Sequence, residues 1–257
     1  MRNRTTCFCA SIALVLSLPA AAAPRETVTL CYEAQDVRPW RTEKGGGLNF
    51  ELLKIVEQRL GIRFDFQSIP WKRCLAQLKA NAVDGAFAVS YKPDRRELGE
   101  YPGGDNIDAS KRMHTDTYVV LRRKGSKVEW DGKHFSNLDG AVGFQLGYSV
   151  GDVLRAQNLE VDEGSQRADE LARKLIAGRL AAAAMGGSDA AGLMRGPLGP
   201  QLEQLPIPLI EKPYFLILSH ALLASRPQLA AGIWSEVEKA RNSAAYKKLA
   251  QAEGVRH

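Results

Sequence analysis

The sequence predicts an α/β protein of two small lobes, each an open, mostly parallel sheet flanked by helices. Three observations carry this. Strand-like and helix-like periodicities alternate between Thr27 and Ser90, a second alternation begins at Ala141, and the 234 residues left after an N-terminal export segment suit two lobes.

That segment comes first along the chain. Arg2 and Arg4 precede an apolar stretch from Cys7 to Leu18, followed by Pro19 and alanines to Ala23, the order of a cleavable secretory signal over residues 1–23. The stretch is short for a membrane span, and no later segment approaches about 18 consecutive apolar residues. No cysteine follows the apolar core where a lipid is attached, because Cys7 and Cys9 precede it or lie within it. The expected product is periplasmic and monomeric.

"TVTLCY" reads as a strand, and "LNFELLKIVEQRL" places Leu48, Leu52, Leu53, Val56 and Leu60 at helical spacing. "GIRFDFQSI" alternates again, "WKRCLAQLKANAV" returns to helical spacing, and the uncharged run Gly85 to Val89 reads as a buried strand. This is a βαβαβ unit. An irregular stretch then leads to the strand "TYVVLRR", and after the polar segment 124–137 come strand "AVGFQL", helices "SVGDVLRAQNL" and "RADELARKLIAGRL", and strand "AAAAMGG". A proline-containing stretch, the strand "YFLILSH" and two helices close the chain.

Charge and cysteine content exclude several functions. Removing Arg2 and Arg4 leaves 33 of the 35 basic residues against 29 acids, a mild excess scattered along the chain without interleaved aromatics, so nucleic-acid binding is unsupported. His114, His134, His220 and His257 show no paired spacing and no Cys-x-x-Cys occurs, which argues against a metal or other cofactor. Cys31 and Cys74 remain after export, and the sequence leaves open whether they are bonded or are two buried thiols.

The run "AVDGAFAVSYKPDRR" sets two arginines at the end of a buried strand. An arginine there is costly to hold unless it meets an anion or turns to solvent. In their order and spacing, "GGGLNFELLKIVEQRLGI", "IPWKRCLAQLKANAVDGAFAVSYKPDRRELGEYP", "NLDGAVGFQLGYSV" and "LARKLIAGRL" resemble the family 3 extracellular solute-binding proteins, the periplasmic receptors of polar amino acid ABC transporters.

The resemblance implies a type II periplasmic-binding-protein-like fold that closes on a ligand. Lobe I would comprise residues 24–117 and 210–257, and lobe II residues 118–209, with crossings near Thr115 to Thr117 and Ile207 to Lys212. It further implies that an arginine five residues after a Ser or Thr grips the ligand's carboxylate. Ser90 and Arg95 stand at that spacing, while counting forward from Asp84 selects Arg96, which otherwise faces solvent. One charge-assisted hydrogen bond supplies about 1.5–3 kcal/mol and micromolar affinity needs about 8, so other contacts must contribute. Trp71 and Trp40 would contribute aromatic faces, or else pack in the core, and Ala88 its backbone. In lobe II, Gly147 allows close approach, the N–H groups of Tyr148 and Ser149 at a helix start would hold a carboxylate, and Gln145 adds a side-chain contact. The alternative is an ordinary helix capped by Ser149.

Two departures and two rival readings follow. Where family members carry an acid that pairs with the ligand's ammonium, this chain has Gly186, counted from Gly178, and the family's earlier Asp is Ala181. Asp189 is the near substitute, three residues late, so the expected ligand is a small carboxylate or an unusual amine-bearing acid. "GYSVG", Gly147 to Gly151, also fits the elbow of a secreted serine hydrolase, with Asp189 and His220 following in order. A dehydratase on the same fold needs an acid or base over the ligand, and no obvious carboxylate stands at the expected positions. Binding without catalysis is therefore the expectation, with an ABC permease or a membrane receptor as partner.

Overall fold

The computed structural model describes residues 25–255, and the export segment, with Arg2, Arg4, Cys7 and Cys9, lies outside the described residues. Strand β1 (Thr27–Glu33), helix α1 (Leu48–Leu60), strand β2 (Arg63–Ile69), helix α2 (Trp71–Lys79) and strand β3 (Gly85–Ser90) form the first unit. β1 lies between β2 and β3, parallel to both. α1 buries Leu48, Leu52, Leu53 and Val56 along one face and stops at Gly61, whose left-handed conformation closes the helix.

The long strand β4 (His114–Arg123) leads to a hairpin of β5 (Glu129–Trp130) and β6 (Phe135–Ser136). The second unit is β7 (Val142–Gln145), α3 (Val150–Ala156), β8 (Val161–Ser165), α4 (Ala168–Ile176) and β9 (Ala182–Gly186). Here β7 lies between β8 and β9, parallel to both. Helix α5 (Gly187–Arg195) and strand β10 (Leu202–Gln204) precede β11 (Ile210–Leu218), and α6 (His220–Ser225), α7 (Pro227–Asn242) and α8 (Ala244–Ala252) finish the described chain.

One sheet runs through the molecule in the order β2-β1-β3-β11-β4-β9-β7-β8, with β10 beside β4. It is parallel at both ends and antiparallel in the middle, where β11 pairs with β3 and β4, and β4 with β9. The buried apolar side chains divide at those middle strands. Two clusters draw on residues 28–113 and 215–250, and two others on residues 118–209. β4 and β11 therefore cross between two pairs of cores, and the seam they span is where polar side chains gather.

Several elements differ from the sequence reading for local reasons. β8 has the sequence VDEGS and is only partly buried, so it lacks the apolar alternation that marks a strand. β11 starts at Ile210 rather than Tyr214, because its first residues run through the polar seam and include Pro213. Three helices close the chain instead of two, since Pro227 begins a new helix after α6.

Cys31 on β1 and Cys74 on α2 are joined by a disulfide, with Cα atoms 5.6 Å apart and a sequence separation of 43. Closing a loop of that size removes unfolded-state entropy equivalent to about 4 kcal/mol. Replacing both cysteines by serine is expected to cost about 3 kcal/mol and lower the melting temperature by roughly 6–12 °C. A thermal melt of the variant beside the oxidised protein checks this.

Candidate functional site

A cavity of about 490 Å³, its mouth included, opens at the seam between the two halves. Its walls come from the carboxyl ends of β1, β3 and β9, the segments that follow β1, β2, β3, β7 and β9, the first half of β4, and Tyr214 on β11. In an open α/β sheet the strand ends are where chain direction leaves room for a ligand.

Arg95 dominates one wall. Pro93 starts a short 3₁₀ turn, Pro93–Glu97, which sends Arg95 inward to 3% exposure. Its Nη1 donates to the Ser90 carbonyl at 2.8 Å and to Ser90 Oγ at 3.0 Å, and its Nη2 donates to the Gly147 carbonyl at 2.9 Å. The guanidinium lies 5.5 Å from the centre of the Trp71 ring, which also lines the cavity. No carboxylate forms an ion pair with Arg95 among the described residues. Arg96 turns outward and pairs with Asp105. Ala88 lines the cavity in a left-handed conformation, φ 57°, where the β3–β11 register shifts; this bulge turns its backbone toward the space.

The second half meets this wall through hydrogen bonds. Ser149 Oγ lies 2.8 Å from Ser90 Oγ, Lys212 Nζ donates to Ser149 Oγ at 3.0 Å, and the Tyr148 hydroxyl donates to Glu33 at 2.6 Å. Tyr148 lines the cavity, whereas Gly147 and Ser149 brace Arg95 and Ser90 from behind. At the helix start expected to cradle a carboxylate, one of the two N–H groups is already used. The Tyr148 N–H already donates to the Gln145 carbonyl at 3.0 Å, and α3 is a seven-residue helix whose start Ser149 does not cap through its side chain. Gln145 is fully buried, its amide has no hydrogen-bond partner, and it does not line the cavity.

The rest of the lining is acidic and aromatic. The loop carrying Trp40 and Arg41 folds against the start of α1 because Gly47, φ 102°, has no Cβ; one there would lie 2.8 Å from the carbonyls of Pro39 and Trp40. Arg41 pairs with Glu33 at 2.7 Å, both buried. Burial pushes the Glu33 carboxyl up, while Arg41 and the Tyr148 hydroxyl pull it back. The period of β4 sets His114, Asp116 and Tyr118 on one face, and all three line the cavity. The His114 ring stacks between Trp40, 4.1 Å away, and Tyr214, 4.8 Å away. Burial, with Arg41 nearby, holds that imidazole well below its ordinary pKa, so it is neutral. Asp189 stands in the first turn of α5 and is pushed up to about 7 by burial, with Arg41 opposing and Glu33 and Asp116 reinforcing the rise. Asp116 is raised as well, by burial, against hydrogen bonds from Thr117 and Ser188.

Glu33 and Asp116 line the cavity together with Asp189, so carboxylates are present in it beyond the one substitute that the sequence suggested. The alternation H-T-D-T-Y carried the signal for Asp116. The hydrolase triad does not assemble, since Ser149 is bonded to Ser90 and Lys212 while His220 lies 3.7 Å from Glu100. Among the described residues, no group of three or more His, Cys, Asp or Glu is placed to hold a metal ion.

The sequence profile of the bacterial extracellular solute-binding proteins, family 3, matches residues 33–252. No curated protein matches the chain significantly. Among solved structures, a histidine kinase sensor domain with similarity to periplasmic binding proteins superposes with a TM-score of 0.72 at 14% identity, covering 89% of this chain and 96% of that one. The GluR0 ligand-binding core from Nostoc punctiforme, in complex with L-glutamate, gives 0.68 at 15%, covering 88% and 98%. The ancestral amino acid-binding protein AncCDT-1, a precursor of cyclohexadienyl dehydratase, gives 0.67 at 16%, covering 88% and 94%. The fold is that of the type II periplasmic binding proteins.

The Asp189 shift predicts a pH signature. The folded protein favours the protonated carboxyl, so the stability Asp189 contributes is full below its unfolded pKa, near 3.8, and is lost as pH rises through about 7. Asp189→Asn is therefore expected to raise the melting temperature of the ligand-free protein by several degrees at pH 8 and to leave it nearly unchanged at pH 4. Melts at the two pH values check the difference.

Proposed function

The chain belongs to the bacterial extracellular solute-binding proteins of family 3, and from that membership we propose that it is an exported receptor for a small carboxylate or amino-acid-like ligand. The ligand lies between lobe I, residues 24–117 and 210–257, and lobe II, residues 118–209, with β4 and β11 as the crossing strands. Export proceeds through the signal at residues 1–23, and no helix among the described residues is long and apolar enough to cross a membrane. The bound receptor delivers its ligand to an ABC permease.

One observation carries this reading: Arg95 is almost wholly buried, lines the cavity, and faces no carboxylate of the protein. A buried guanidinium retains unused donors in a planar fork, which matches the two oxygens of a carboxylate. Ser90 and the Gly147 carbonyl fix its orientation, and Trp71 covers its face. Pre-organising the anchor in this way lowers the ordering cost of binding.

Arg95→Ala is expected to abolish ligand binding at micromolar concentration while the fold persists. Ser90→Ala is expected to weaken binding by about 0.5–1.5 kcal/mol, one neutral hydrogen bond. Isothermal calorimetry on both variants, with circular dichroism to verify folding, checks the pair; normal binding by Arg95→Ala would remove the anchor from the account.

A further inference from the structure

A second cavity, about 480 Å³ with its mouth included, opens at the start of β4 beside α7 and α8. Its floor is apolar and aromatic, with Met113, Tyr246, Trp40 and His114 all buried. Its charge is of one sign. Arg112, just before β4, and Arg241, in the last turn of α7, line it, and no acid does.

Neither arginine meets a carboxylate. Arg241 Nε donates to the Arg112 carbonyl at 2.9 Å and its Nη2 to the Ser110 carbonyl at 2.7 Å, while Arg112 Nη1 donates to the Ala109 carbonyl at 2.9 Å. Among the described residues neither forms an ion pair, and Arg241 Nη1 and Arg112 Nη2 donate to no protein atom. Carbonyl dipoles satisfy donors but do not cancel two like charges held together. Burial and the charge of Arg112 lower the pKa of the Arg241 guanidinium, with Glu238 and the Tyr246 hydroxyl opposing. Two half-buried cations above an apolar floor are complementary to an anion that carries an apolar body.

The Trp40 and His114 rings, 4.1 Å apart, line this cavity and the ligand cavity alike. No hydrogen bond holds the His114 ring among the described residues: its Nδ1 is buried without a partner, and the ring rests on stacking against Trp40 and Tyr214. Arg95 lines the ligand cavity and not this one, so the two cationic walls are distinct.

We propose that Arg112 and Arg241 form a second binding site, for a small organic anion other than the ligand held at Arg95, and that its occupant fixes the shared Trp40 and His114 rings. The acid group takes unused donors of the two guanidiniums, and the apolar body covers Met113 and Tyr246. Because the shared rings also line the ligand cavity, the occupant sets part of that wall in advance. The site stands without the reading of Arg95 as the ligand's anchor.

The probes are benzoate and phenyl phosphate, with inorganic phosphate as the charge without the apolar body and benzyl alcohol as the body without the charge. Calorimetry uses Arg95→Ala beside the wild type, so that a carboxylate entering the ligand cavity is told apart. The expected result is that Arg95→Ala still binds at least one probe, at least tenfold more tightly than either control. Arg112→Gln and Arg241→Gln, made in the same background, are each expected to weaken that binding at least fivefold. Arg112→Gln leaves in place the main-chain carbonyl that Arg241 holds, so it removes a charge without removing the brace, and circular dichroism checks folding. The indole N–H resonance of Trp40, assigned through Trp40→Phe, should shift on addition of the probe and stay still in the two glutamine variants. Absence of probe binding in Arg95→Ala, or binding indifferent to both glutamine variants, overturns the second site and leaves the carboxylate receptor untouched. A Trp40 resonance that stays still at saturating probe overturns the contact with the shared rings. Binding that appears only once Arg256 and His257, which follow Val255 at the cavity wall, are deleted assigns the pocket to that segment and overturns the site equally.

Discussion

Charge buried in the walls of one cavity, without protein counter-ions, is the constraint around which the rest of the site is arranged. Arg95, Asp116 and Asp189 are each expensive to remove from water, and a well-packed apolar residue at any of these places would give a more stable empty protein. The structure tolerates the arginine by giving it three hydrogen bonds to Ser90 and Gly147 and an aromatic cover in Trp71. Burial raises the Asp189 and Asp116 carboxyls, so proton uptake becomes easier and lessens the cost of burying them. Both arrangements leave the groups able to meet a partner of opposite charge.

The sheet places those walls where they can part. β4 and β11 join two pairs of hydrophobic cores, and across the seam between them the contacts are polar: Ser90 to Ser149, Arg95 to the Gly147 carbonyl, Tyr148 to Glu33 and Gln35 to the Gln166 carbonyl. Such bonds contribute about 0.5–1.5 kcal/mol each, against water that would otherwise satisfy the same groups. In the proposed receptor a seam of this strength closes over a ligand and reopens, whereas an apolar interface of the same extent would hold the halves together permanently. The disulfide between Cys31 and Cys74 lies within one half and ties β1 to α2, firming the frame that carries Glu33 and Trp71.

The alternation of elements made the parallel units readable in the sequence, because α1 buries a face set by its helical spacing and β3 is an uncharged run buried throughout. Edge and seam elements were not readable in the same way: β8 is acidic and only partly buried, and near its start β11 carries Glu211 and Lys212, the second of which bonds Ser149 across the seam. Arg95 stood out because a buried strand runs directly into it. Asp116 did not, since a strand pattern shows which residues share a face but not what that face meets. The glycine at 186 suggested a missing acid, yet the gap it leaves is bordered by a carboxylate from β4, 70 positions earlier in the chain, and such a juxtaposition exists only once the sheet is assembled.

The most direct measurement of the central claim is a carbon-13 NMR titration of the side-chain carboxyl groups in the ligand-free protein, with Asp116 and Asp189 assigned through their asparagine variants. Uncompensated burial predicts a midpoint near 7 for Asp189 and a raised midpoint for Asp116. Midpoints near the ordinary 3.8 for both would show that the two acids are already paired or solvated, and the cavity would have no charge left for a ligand to complete.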